Sequence, residues 1–342
     1  MLDKNRPFKV FAGCKIVKGY RRSIVYDLDR YTYYFIPNGL TRIIRKYEGK
    51  TINEIKQHFD EAEYQVIDDY FEFLFEKEII FFIEEKFMKH FVATKVDWHR
   101  PSLFTNAIID DWGNHNWNLI FKNLEEVFCK YVQVRFIDFD HFLQFAAVLG
   151  QQEDNGLTSI EVILPYDERL HHKKIKTFFK KYPLLVRYVI YSSPNATVIN
   201  SGFSTAIGYY TTFTGNETLG KQRVNKFFLK VEVDQFFEAQ DHNIYFNKKV
   251  CLDKDGNIKM GIHSDEIFGN IYKDTSFLKI YNDVGSFKKY WTITKNVMLG
   301  CRVCEFRYMC AYDEEPVFDL NSKLYAYQNN CGYSPYLAEF SH

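Results

Sequence analysis

SLFTNAIID (102–110), NWNLIFKNLEEVFCKY (116–131), YVQVRFI (131–137), DHFLQFAAVLG (140–150), SIEVIL (159–164) and, after a charged helix ending FFKKY (178–182), VRYVIYSS (186–193) follow one another along the middle of the chain. Short apolar runs alternate with segments of helical spacing. That alternation, with short links, predicts parallel strands joined by helical crossovers, an α/β fold class. The runs carry few charges, as expected when both faces of a sheet are covered. Two architectures meet the pattern, an incomplete α/β barrel and a flat doubly wound sheet, and periodicity is the same in both. No glycine-rich phosphate fingerprint follows any run, so nucleotide binding has no support in the sequence.

Upstream, residues 1–90 form a separate unit. CKIVKG (14–19) and RSIVYDL (22–28) suit a hairpin, and YTYYFI (31–36) suits a third strand. Pro37 and Asn38 open a helix over LTRIIRKY that stops at Gly49. Thr51 and Glu54 have capping-box spacing for a second helix, with Ile52, Ile55 and Phe59 along one face. A third helix from about Glu63 carries Ile67, Tyr70, Phe71 and Leu74 at helical spacing, and EIIFFIE (78–84) returns as a strand. This order predicts a winged helix. Winged helices bind DNA or peptides. The third helix, EAEYQVIDDYFEFLFEKE (61–78), is strongly acidic and would repel phosphate, which argues for a peptide. Peptide capture would use a strand edge beside a hydrophobic groove.

Bulk properties bound the function. Lys plus Arg and Asp plus Glu number 44 each in 342 residues, a formal net charge of zero, against the basic excess of a nucleic-acid binder. No run approaches 18 apolar residues, so no membrane helix is predicted, and the start MLDKNRPFKVFAGCKIV has no signal-peptide stretch. Seven cysteines in such a chain are expected in a reducing cytoplasm, where clustered thiols bind metal rather than pair.

Four of those cysteines cluster. Cys301, Cys304 and Cys310 follow C-x2-C-x5-C in GCRVCEFRYMC, and Cys331 follows after 20 residues. Four converging thiolates select zinc or an iron–sulfur cluster. Four protein ligands leave no open position, which suits a structural or electron-transfer role. The other three cysteines are expected to be small buried hydrophobes. Within the ligand loop, beside Tyr308, Arg307 has the donors to reach the cluster sulfurs or to pair with Asp313, against the plainer reading of a surface arginine. A second polar group, Asp110, Asp111, His115 and Asn116, lies in the loop after the first central strand. It has the side chains for a hard metal or acid–base work, against the plainer reading of a solvated loop.

The C-terminal spacing resembles the SPASM domain, which holds auxiliary clusters on radical SAM peptide-modifying enzymes. NIYFNKKVCLDKDGNIKMGIHSDEIFGNI (243–271) resembles its entry, with Asp253, Asp255, Gly256 and Asn257 supplying a hairpin turn. Gly261 and Glu314 stand where that family has cysteines of a first auxiliary cluster, so the resemblance implies that this cluster is lost and the second kept. Residues 1–90 resemble the PqqD-like element that binds leader peptides, and the central unit resembles the radical SAM barrel. The C-x3-C-x2-C triplet of radical SAM chemistry is missing: DWGNHNWN (111–118) contains no cysteine. No cleavage of S-adenosylmethionine is therefore expected.

As a whole the chain resembles the SPASM-domain peptide maturase of grasp-with-spasm systems. The implied domains are a peptide-recognition module (1–90), a partial α/β barrel (91–240) and a SPASM-like domain (241–342). The resemblance implies a precursor peptide and an ATP-grasp ligase as partners. It also implies one 4Fe–4S cluster on Cys301, Cys304, Cys310 and Cys331, with zinc as the alternative. The implied role is to grip the precursor and present it. A redox enzyme acting through the C-terminal cluster is the competing function, and no catalytic residue is identified for either.

Overall fold

The computed structural model describes residues 2–91, 97–151, 156–171, 173–202, 204–221, 224, 229–283 and 285–341. The N-terminal unit holds β1 (Phe8–Val10), β2 (Cys14–Lys18), β3 (Ser23–Asp27), β4 (Thr32–Ile36), α1 (Asn38–Tyr47), α2 (Ile52–Lys56), α3 (Tyr64–Glu76) and β5 (Ile80–Phe82). β2, β3 and β4 form an antiparallel sheet in that order. β5 instead pairs with β1, Phe8 opposite Phe82, in a separate two-stranded ladder. The capping box forms: Thr51 accepts from the Glu54 amide at 3.1 Å, and Glu54 accepts from the Thr51 amide at 2.7 Å. The apolar faces of α1, α2 and α3 meet β1 and β3 in one core, where Phe71 sits edge-on to Phe8 at 4.9 Å. Burying such a ring stabilises by about 1.5–3 kcal/mol.

The central unit contains β6 (Asn106–Asp111), α4 (Trp117–Glu126), β7 (Tyr131–Phe136), α5 (Phe139–Leu149), β8 (Ser159–Pro165), α6 (Ile175–Lys181), β9 (Leu185–Tyr191), β10 (Thr197–Asn200), β11 (Ile207–Tyr210), α7 (Gly215–Leu219) and α8 (Val233–Asp241). Beyond it lie β12 (Lys249–Leu252), β13 (Asn257–Lys259), β14 (Gly269–Asn270) and α9 (Phe277–Asn282). One nine-stranded sheet runs β10-β11-β9-β8-β7-β6-β12-β13-β14. Its inner strands β11, β9, β8, β7, β6 and β12 are all parallel. The sheet is open: β10 and β14 are its two ends.

The two faces of the sheet differ. Ala107, Val132 and Ile160, with Ile109, Val134 and Val162 in the next row, face α4, α5, α6 and α9 in the main core. The opposite face is mixed, with Ile163 and Cys251 buried on it beside polar side chains. There Gln133 donates to Glu161 at 2.6 Å, Glu161 pairs with Arg187 at 3.1 Å, and Arg135 makes a two-point contact with Asp110 at 2.5 and 2.8 Å. Alternation along each strand sorts the two sets, since successive side chains leave on opposite faces. The C-terminal end of α7 also lies on this second face, where Arg135 Nη1 donates to the Leu219 carbonyl at 3.0 Å.

The C-terminal stretch adds two small ladders, β15 (Val317–Asp319) with β16 (Leu324–Ala326), and β17 (Tyr333–Ser334) with β18 (Glu339–Phe340). Among the described residues no helix is long and apolar enough to cross a membrane.

Candidate metal centre

Cys301 lies in a short 3-10 turn, Cys301–Val303, that places Cys304 at its end. The Cys304 amide donates to the Cys301 carbonyl at 2.9 Å, which closes the turn. Cys310 returns four residues after Phe306, and Cys331 arrives just before β17. All four line a single cavity of about 190 Å³, together with Lys295, Tyr312, Tyr327 and Arg307. Burial pushes the Cys301 thiol up to about 12, opposed by the Lys295 ammonium, and pushes the Cys304 and Cys331 thiols up as well. Metal binding at these thiols therefore has to displace protons.

Four sulfurs around one zinc, each at about 2.3 Å, stand only about 3.8 Å apart. Among the described residues no three His, Cys, Asp or Glu side chains are gathered tightly enough to hold a metal ion. A cubane puts one thiolate on each of four irons and so spreads its ligands wider. Four thiols lining one cavity are a donor set for either occupant, and Cys301, Cys304, Cys310 and Cys331 are the residues that would hold it.

The ligand loop is fastened to the N-terminal sheet, which the sequence did not suggest. Glu305, between Cys304 and Phe306, is fully buried. Its carboxylate accepts from Arg22 Nε at 2.8 Å and from the Tyr333 hydroxyl at 2.5 Å, and its carbonyl accepts from the Tyr26 hydroxyl at 2.8 Å. The Tyr20 amide donates to the Val303 carbonyl at 2.7 Å. A Cβ at Gly19 would stand 2.5 Å from the Arg22 carbonyl and 2.9 Å from a Glu305 oxygen, so only glycine allows this approach. Phe306 and Met309 pack with Val17, Ile24 and Tyr26 in one hydrophobic cluster.

Arg307 does not meet Asp313, one of its two expected partners, and points at no carboxylate: Nη1 donates to the Lys18 carbonyl at 2.9 Å and the Cys304 carbonyl at 2.8 Å, and its guanidinium lies over Tyr308. Asp313 instead stands 3.9 Å from His263. Arg307 thus ties the loop to β2 through main-chain oxygens.

The loop after β6 is mostly exposed, and its polar side chains are held by hydrogen bonds. Asp110 holds Arg135, and Asp111 accepts from the Gly113 amide at 2.8 Å and Trp117 Nε1 at 2.7 Å. His115 bridges Tyr272 at 2.7 Å and the Asp110 carbonyl at 3.0 Å, and Asn116 caps α4. Cys14, Cys129 and Cys251 are buried on separate elements. Gly256, at φ +80°, makes the β12–β13 turn, in which Asp253 accepts from the Asp255 and Asn257 amides at 3.0 and 2.9 Å. Glu314 is buried and bound by Lys221 at 2.5 Å and Asn329 at 2.9 Å.

No family model and no curated protein matches the chain. Among solved structures it aligns with the crystal structure of Streptococcus suis SuiB at a TM-score of 0.30 and 9% identity, over 89% of this chain and 94% of that one. The structure of SuiB bound to S-adenosylmethionine aligns at a TM-score of 0.26 and 8% identity over the same shares. Superpositions this loose carry no argument about chemistry.

Proposed function

We propose that this chain is a SPASM-type maturation factor for a ribosomally made peptide. It binds the precursor through a winged-helix module at residues 1–90 and holds one closed 4Fe–4S cluster on Cys301, Cys304, Cys310 and Cys331. Its radical-SAM-like half-barrel lacks the cysteine triplet, and an ATP-grasp ligase is the partner that forms the bond. The observation that carries the reading is the joint between the cysteine loop and the β2–β3 hairpin. A metal domain docked directly on a recognition sheet suits a protein that grips one molecule and orients it.

The module has the surface for that grip. β4 pairs with β3 on one side only, and Phe35 on it is 39% exposed. Beside it Tyr34 stacks edge-on to Phe73 of α3 at 6.3 Å. An unpaired strand edge beside an aromatic helix face supports capture of an extended peptide by strand addition. The loop after β6 offers no thiolate, so the chain's own contribution is binding and orientation. The cluster, when bound, supplies one-electron chemistry or rigidity.

Anaerobic isolation with iron, sulfide and zinc analysis tests the site. About four irons and four sulfides per chain, lost in Cys304→Ala, are expected. Stoichiometric zinc would overturn the cluster and with it the competing redox function, leaving a structural clip.

A further inference from the structure

Lys295 is 5% exposed and lines the same cavity as the four thiols. Its Nζ donates to the Tyr327 hydroxyl at 2.6 Å. Among the described residues it makes no ion pair with a carboxylate, although an ammonium carries three donors and is costly to bury uncompensated. The backbone keeps it there. Lys295 opens a 3-10 turn, Lys295–Val297, and the next residues are pinned by the Leu299 amide donating to the Tyr325 carbonyl at 2.7 Å. Buried charges are paired or they are not kept. The groups around this one are sulfurs.

We propose that the Lys295 ammonium is the counter-charge of the four-thiolate site and sets the reduction potential of the cluster held there. The inference rests on the iron–sulfur reading of the same cavity. A cubane held by four thiolates is an anion, and one electron from an added reductant adds one more negative charge without making or breaking a bond. A fixed cation in a low-dielectric wall favours that reduced form. Lys295 acts on the cluster through its field, and Tyr327 orients it.

The test is a dithionite titration of anaerobic protein, followed by electron paramagnetic resonance with iron and sulfide content, for wild type, Lys295→Met and Lys295→Arg. In Lys295→Met the ratio of oxidised to reduced cluster at a fixed potential rises at least tenfold, which is about 59 mV for one electron. Lys295→Arg stays within threefold of wild type. A Lys295→Met protein with full iron and an unchanged potential overturns the proposal. If Lys295→Met loses its iron, Lys295→Arg decides: iron kept at the wild-type potential supports a need for charge, and loss in both variants overturns it. Wild-type protein holding zinc or no metal overturns the iron–sulfur reading and this inference together, and that is read before any variant is compared.

Discussion

Replacing Arg22 by Met should open the joint between the metal loop and the N-terminal sheet. Glu305 is fully buried and Arg22 retains 29% side-chain exposure, so the pair is mostly desolvated. Breaking a buried pair from one side costs about 3–5 kcal/mol, because a charge is left without its partner. Here the Tyr333 hydroxyl still donates to Glu305, and solvent reaches the arginine side, so about 2–3 kcal/mol is expected. At 1.4 kcal/mol per factor of ten, local opening becomes roughly 30- to 150-fold more frequent. Native-state hydrogen exchange reads this at two amides, Tyr20, which donates across the joint to Val303, and Cys304, inside the loop. Glu305→Gln removes the charge while keeping the shape, so the double variant should cost less than the two singles combined, by about 1–3 kcal/mol. Unchanged exchange at Tyr20 and Cys304, or strictly additive effects, would refute the claim that this pair holds the joint.

Two further outcomes follow from single residues. Burial raises Glu238 to about 7 from its ordinary 4.5, against the Asn247 side chain that donates to it at 2.8 Å. Between those values the fold keeps a proton the unfolded chain has lost, so this group's contribution is full below about pH 4.5 and is lost as pH rises to about 7. Glu238→Gln should therefore be more stable than wild type by about 1–3 kcal/mol at pH 8, and level with it near pH 4, in denaturant melts at the two pH values. A gain that is the same at both would exclude the titration. Gly256→Ala should lower the melting temperature by several degrees, since the residue sits at φ +80° and the new Cβ would lie 2.5 Å from the Tyr272 ring. Tyr272 also bridges His115 and Asn116, and a melting temperature unchanged by Gly256→Ala would show that this contact yields freely.

Much of the architecture was written in local pattern. The alternation from Ser102 to Ser193 gave parallel strands, and the spacing of Thr51 and Glu54 gave a capping box, because both depend on neighbours within one or two turns. The polar groups of the second face had a signal in the sequence. Gln133, Arg135, Glu161 and Arg187 occupy alternate strand positions opposite the apolar set, and alternation of that kind marks one solvent-facing or lumen-facing side. The joint was not legible at all. Glu305 reads as an ordinary loop carboxylate, and its partners Arg22 and Tyr26 lie at the far end of the chain. Lys295 was passed over for the same reason: nothing local to KNV says that a lysine there is buried.

β6 has a consequence for how the chain is made. It is flanked by β7, which follows directly, and by β12, at residues 249–252. At 5–20 residues per second, the second neighbour leaves the ribosome on the order of ten seconds after the first strand. During that interval β6 presents a row of unpaired amides and carbonyls to other nascent chains. Productive synthesis therefore depends on protection of that edge, and slowing translation before residue 249 should increase aggregation.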